Sequence, residues 1–386
     1  MSTRVATSLI LTLACGFAMP ACASKSGASA GESATNAVSA APVKRAPETE
    51  YEKYAALGYS LSWRGFPIVS RRAGTKFFDA FGETLVFQDS ANVLTVMDSG
   101  TGRNRWSAQV DERVARFTGN AVRNDRVYCS SDNELFVLDL KTGAVLERHR
   151  LAVVVDTAPV LVGDLAVFGS TTGQVLGHSL VSHYKLWAYK LSGPVTSAPV
   201  FAGRSGNFNT DALAAVSQTG EVLVLDPKTG SSISRTKIYS GLANRAVASE
   251  EMLYLASTDQ SVYAIELRTG AQRWRHRTER PIVEQPALHE GRLYVTIPEQ
   301  GLTCFDASSG DVLWVNKGLG GSVVAVRNGR LIVWDGAAAA SVDPERGDVV
   351  DRVALEGVTK LVSEPFVDGS LYAVTGEGRV SKFSAR

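Results

Sequence analysis

Charge of a single sign is missing from this chain. Its 40 lysines and arginines face 39 aspartates and glutamates, and without a basic face no nucleic-acid partner is expected. Long apolar runs are missing too. The one at residues 5–19 falls short of the roughly 20 residues that span a bilayer. The 5 histidines, at 149, 178, 183, 276 and 289, form no His-x-His or His-Glu-x-x-His pattern, and no Cys-x-x-Cys occurs. Spacing therefore predicts no metal site, and His178 and His183 read as turn or surface residues. There is no Gly-x-Ser-x-Gly elbow, and the glycines of 318–321 join two strands with no helix behind them, a turn rather than a phosphate loop. Helical apolar spacing is absent from the body of the chain.

What is present is a repeat. A β-rich run, an acid or its stand-in, a Thr-Gly-like turn and a residue four places after the glycine recur seven times. The copies read Asp98, Gly102, Trp106; Asp139, Gly143, Glu147; Ser179, His183, Trp187; Asp226, Gly230, Ser234; Glu266, Gly270, Trp274; Asp306, Gly310, Trp314; and Asp343, Gly347, Asp351. Turn positions are separated by 41, 40, 47, 40, 40 and 37 residues, a period that marks a repeat architecture. Each period holds several short strands rich in β-branched and aromatic residues, as in Arg292 onward, "RLYVTIPEQGLTCFDASSGDVLW". Four strands in ~40 residues make one blade of a β-propeller. The acid can bond turn amides, the glycine tolerates positive φ, and the tryptophan can lie over the neighbouring blade.

An eighth unit completes itself only through the two ends of the chain. The segment after Gly347 supplies inner strands without a tryptophan, while "GYSLSWRG" at 58–65 places Trp63 one period before Trp106. The expected fold is all-β: an eight-bladed propeller of four-stranded blades over 51–386, closed by the N-terminal strand completing the last blade, which removes an open edge. Cys129 and Cys304 then fall in the opposed second and sixth blades, beyond the ~7 Å reach of a disulfide, and should be buried free thiols.

The Asp-x-x-Thr-Gly-x-x-x-Trp pattern, with Pro159, Pro199, Pro286 and Pro365 ahead of glycine turns, resembles the pyrroloquinoline-quinone-like propeller repeat. A single such ring behind an export signal is similar to the BamB group of outer-membrane-barrel assembly lipoproteins. The resemblance implies a non-catalytic scaffold without cofactor, whose partner is the outer-membrane barrel insertase. It also implies an insertase contact through a Leu-x-Leu-Arg loop. The matching segment here runs from Leu191 through Val195 to Ser197 with neither the leucine pair nor the arginine. Quinone-dependent dehydrogenases share the repeat but carry adjacent cysteines, and no Cys-Cys pair occurs here. A periplasmic sensor or carbohydrate- or small-ligand-binding propeller is the alternative reading.

Residues 1–23 hold one basic residue, Arg4, then the apolar run and small residues, the pattern of a secretory signal. Met19, Pro20, Ala21 and Cys22 form an imperfect lipobox, predicting lipid attachment at Cys22; cleavage after Ala23 is the competing exit, and a poorer lipobox from Thr12 to Cys15 would cut the apolar run short. Residues 24–50 are rich in Ala, Ser, Gly and Pro, as a disordered tether is. A short helix is expected near Pro47, packed on the rim. The chain is thus read as exported, periplasmic and anchored by lipid to the outer membrane. Candidate partner contacts are Val195, Phe201, Asn207 and Asn209, the last two in a Gly- and Asn-rich insertion at 203–212. Candidate channel-mouth acids are Asp156, Glu284 and Glu364. Arg273, Arg275, Arg277 and Arg280 read as a solvated strand face.

Overall fold

The computed structural model describes residues 50–204 and 211–386. Cys22, the signal segment, nearly all of the tether, Asn207 and Asn209 lie outside the described residues. Eight four-stranded antiparallel sheets form the blades of a propeller. Blades 1 to 7 cover 75–109, 117–150, 160–190, 200–237, 247–277, 287–316 and 322–354, each sheet ordered as the chain runs. Blade 8 takes its three inner strands from Val358–Glu364, Ser370–Thr375 and Val380–Ala385, and its outermost strand from Tyr59–Gly65. That strand pairs antiparallel with Val380–Ala385, placing Leu61 opposite Phe383 and Gly65 opposite Val380. The ring closes as the sequence predicts.

Position within the blade explains residue pattern. Middle strands are covered on both faces by neighbouring blades, so they read as continuous apolar runs: Leu165–Gly169 is buried throughout. Outermost strands have one free face and alternate, as in Lys185–Lys190, where only Trp187 and Tyr189 turn inward. The core is a ring of seams. One seam joins Val167 and Val175 of blade 3 to Leu213 and Leu223 of blade 4. Another joins Tyr372 and Val374 of blade 8 to Phe78 and Phe87 of blade 1, so closure buries apolar area as well as an edge.

The repeated turn works as its composition suggests. Asp98 Oδ1 accepts the Thr101 amide and hydroxyl, both at 2.9 Å, and the six turn glycines adopt φ between 71° and 79°. In blades 1 to 7 a register shift between the last two strands falls just before this turn, and such bulges increase local twist. Trp63, Trp106, Trp187, Trp274 and Trp314 lie over Gly102, Gly143, Gly230, Gly310 and Gly347 of the following blade. Each indole N–H donates to the carbonyl after that blade's acid, at 2.9 to 3.0 Å. Blade 4 has Ser234 at the tryptophan position, and its hydroxyl donates to the equivalent carbonyl, Leu267 O, at 2.6 Å.

The helix expected near the start is Glu50–Ala56. Tyr54 stacks on Phe383 with ring centroids 3.5 Å apart, and Leu57 is buried with it in the seam between blades 7 and 8. Cys129 and Cys304 are free and buried.

Candidate functional site

Innermost strands of successive blades line a central channel, and all eight run the same way along it. Residues that precede an innermost strand therefore sit at one mouth, and residues that end one sit at the other. Asp156 and Glu284 precede such strands. Asp156 pairs with Arg116 of blade 2, and Glu284 accepts the Ser322 hydroxyl of blade 7 at 3.1 Å; both acids tie adjacent blades together. Glu364 is placed differently. Pro286 stands before its innermost strand, whereas Pro365 follows Val358–Glu364, so Glu364 closes the strand at the opposite mouth. The three acids are not one cluster.

Inside the channel one wall is polar. Lys360 donates to Phe78 O at 2.6 Å and stands 3.8 Å from Asp79. Crowding by the wall raises the Asp79 carboxyl above its usual range, opposed by the charges of Lys360 and Arg245. The other wall is apolar: Val160, Val200, Phe201, Val247, Val323 and Phe366 bound a cavity of about 590 Å³. Phe201 thus faces the channel rather than an outer surface. Val195 is fully buried in the seam between blades 3 and 4, because its neighbour Gly169 leaves room for it. It is not available to a partner. Leu191 is buried beside it, and the Ser192 amide is held by Glu221 of blade 4 at 2.7 Å. The first strand of blade 4 ends at Arg204, at the opposite mouth from the 191–197 segment, and the second begins at Asp211; residues 205–210 of the insertion lie outside the described residues.

The mouth that holds the 191–197 segment carries a feature no single residue announced. Phe66, Ile68, Val114, Val154, Tyr239 and Val283 are exposed, and all lie on connections from the outermost strand of one blade to the innermost of the next. Phe66 is 68 %, Tyr239 78 % and Val114 87 % exposed. Most other exposed apolar groups, such as Leu186, Leu313 and Val350, lie on outermost strands instead. The arginine-rich strand Gln272–Arg277 behaves instead as a paired surface: Arg273 meets Glu266 at 2.9 Å, Arg280 meets Glu299 at 2.8 Å, and Arg275 covers Tyr239 and Tyr263.

Contacts between blades bring together metal-ligand types that lie far apart in the sequence. Where the repeat would put tryptophan over glycine, blades 2 and 3 have Glu147 and His183, with Oε2 and Nε2 3.4 Å apart. Glu147 Oε2 is also 2.9 Å from His149 Nε2, and the His149 and His183 rings stack at 4.0 Å. His149 Nδ1 lies 3.1 Å from His178 Nε2. His178 is buried within its strand, not at the surface. Burial holds His149 below the usual histidine range, and burial together with the charges of His149 and His183 lowers His178 to about 4. Arg126 binds Glu147 Oε1 at 2.7 Å. The only sequence signal was the double departure from the repeat at Glu147 and His183.

The family model for the outer membrane protein assembly factor BamB matches residues 59–189 and 218–386. Its unmatched stretch contains both the 191–197 segment and the 203–212 insertion. The outer membrane protein assembly factor BamB of Francisella salina is 24 % identical over 226 residues, 53 % of this chain and 41 % of that protein. The chain thus matches about two fifths of that relative's length. The crystal structure of BamB from Moraxella catarrhalis superposes with a TM-score of 0.66 at 15 % identity, covering 84 % of this chain and 97 % of the other. The computationally designed Ika8 protein gives 0.65 at 15 % identity, covering 83 % and 100 %; at these identities the likeness shows the fold alone. By repeat, ring closure and family match, the chain belongs to the outer membrane protein assembly factor BamB family of β-propellers.

Proposed function

We propose that this chain is a non-catalytic scaffold for assembly of outer-membrane β-barrel proteins, exported by residues 1–23 and held at the membrane through lipid on Cys22. Family membership supports the process, and one observation carries the docking mode: exposed apolar groups from Phe66 to Val283 on five of the eight interblade connections at one mouth. Rigid blades hold those loops in fixed relative positions, which limits the entropy lost when a partner docks. The partner is the barrel insertase. Its surface should supply apolar groups of its own, with a polar rim.

The test is photocrosslinking in the native envelope from positions 66, 114 and 239, with adducts identified by mass spectrometry. The insertase should be recovered from these positions, and recovery should fall in a Phe66→Ser, Tyr239→Ser double variant that keeps its β-sheet spectrum. Crosslinks only from the 203–212 loop, or none to the insertase, would sink the docking mode and the partner respectively. A second reading, a periplasmic sensor or carbohydrate- or small-ligand-binding propeller, is favoured by the cavity of about 590 Å³ beside Phe201. It expects saturable small-ligand binding that Phe201→Trp blocks while the loop crosslinks persist.

A further inference from the structure

We propose that Glu147, His149 and His183 form a binding site for one divalent transition cation of the class zinc represents, held between blades 2 and 3. The donors are one carboxylate oxygen and two imidazole nitrogens, all within 4.8 Å of one another. A tetrahedral zinc with bonds of about 2.0–2.1 Å needs donors about 3.3 Å apart; the two Glu147 contacts, at 2.9 and 3.4 Å, bracket that value. Among the described residues no other group of three such donors converges.

Three further features fit a metal better than a simple ion pair. His149 presents Nε2 to the site while its Nδ1 meets His178, the outer-shell partner that fixes the tautomer and orientation of a ligating histidine. Arg126 occupies the other carboxylate oxygen of Glu147, leaving Oε2 directed at the imidazoles. His183 holds φ at 62° where the other turns use glycine, a left-handed conformation that an L-residue adopts only at a cost. Two imidazoles and one carboxylate are a ligand set of zinc sites that keep a fourth position open. Here His183 is half-exposed, so the fourth position faces solvent. The cation would do for blades 2 and 3 what tryptophan over glycine does at five other junctions: join an outermost strand to the next blade's turn.

The proposal is independent of the docking reading above and is tested on the purified full chain after stripping with a chelator. Zinc competition against a chromophoric chelator should show one equivalent bound, and cobalt should give visible absorption of a low-coordinate nitrogen and oxygen site. His183→Gly restores the repeat's own residue in a backbone that suits it, so folding is preserved while a ligand is lost. It and Glu147→Gln should each weaken zinc at least about tenfold, and His178→Ala about tenfold through the outer shell. Zinc should raise the melting temperature of the wild type and not of His183→Gly. No stoichiometric uptake, or unchanged affinity in both His183→Gly and Glu147→Gln, would show an adventitious ion only and overturn the assignment.

Discussion

Trp106 covers Gly143 so closely that a β-carbon on the glycine would fall 2.5 Å from the indole. Blade 1 is thereby seated on blade 2, with the indole N–H fastened to Leu140 O at 2.9 Å. Gly143→Ala meets both the indole and a φ of 74°. Overpacking and left-handed strain together should cost about 2–4 kcal/mol. Gly291 has a similar φ of 72° but open space around its missing side chain, so Gly291→Ala should cost only about 1–2 kcal/mol. Equal shifts of the two denaturation midpoints would mean that the stacking contact adds nothing.

Ring closure should decide solubility. Deleting residues 1–65 removes the outermost strand of blade 8 and uncovers Val380–Ala385, which is then an unpaired edge of the kind that seeds association. That variant should elute as large oligomers, whereas removal of 1–49 leaves the strand and the Tyr54–Phe383 stack and should elute as the parent does. A well-behaved 66–386 chain would show that blade seams alone hold the ring.

Residues whose role is set by the period were legible in advance; residues whose role is set by a neighbouring blade were not. The acid, glycine and tryptophan positions repeat every 40 residues or so, and so does the geometry they impose. The middle strands were legible for the same reason, since burial on both faces leaves an unbroken apolar run. Glu147 and His183 are 36 positions apart on different blades, and only the ring brings them into contact. Glu364 is a channel-mouth acid at the other mouth from Asp156 and Glu284, because Pro365 follows its innermost strand whereas Pro286 precedes its own. Val195, in the segment matching the Leu-x-Leu-Arg loop, and Phe201 are apolar residues that the fold turns inward, one into a seam and one into the channel.

The two thiols should be silent in the native state. Cys129 and Cys304 are both buried, and burial raises both thiols, Cys304 to about 12, so almost no thiolate is present at neutral pH. Protein lacking residues 1–23 should show no reaction with a colorimetric thiol reagent until denaturant is added, and then two equivalents. Rapid labelling without denaturant would reveal opening of blade 2 or blade 6.

The turn acids should make the ring sensitive to strong acid. Arg105 and Thr101 hold the Asp98 carboxyl down at about 2, Thr142 lowers Asp139, and the Ser308 and Ser309 groups lower Asp306. A free aspartate titrates near 3.9, so each folded-state value lies below its unfolded one. The unfolded chain takes up protons first as pH falls, and the stabilisation present above about pH 4 is lost progressively toward pH 2. These carboxyls are solvent-facing, so each contributes modestly, but they repeat around the ring. The melting temperature should therefore decline gently below about pH 6.5, where the unfolded chain protonates the histidines that burial holds down at His149 and His178, and fall steeply below about pH 4. An Asp98→Asn, Asp139→Asn, Asp306→Asn triple variant should start lower and show a shallower acid slope, because it has fewer protons to gain. A triple variant with the parent's slope would place acid sensitivity elsewhere, for which the buried histidines His149 and His178 are the next groups to replace.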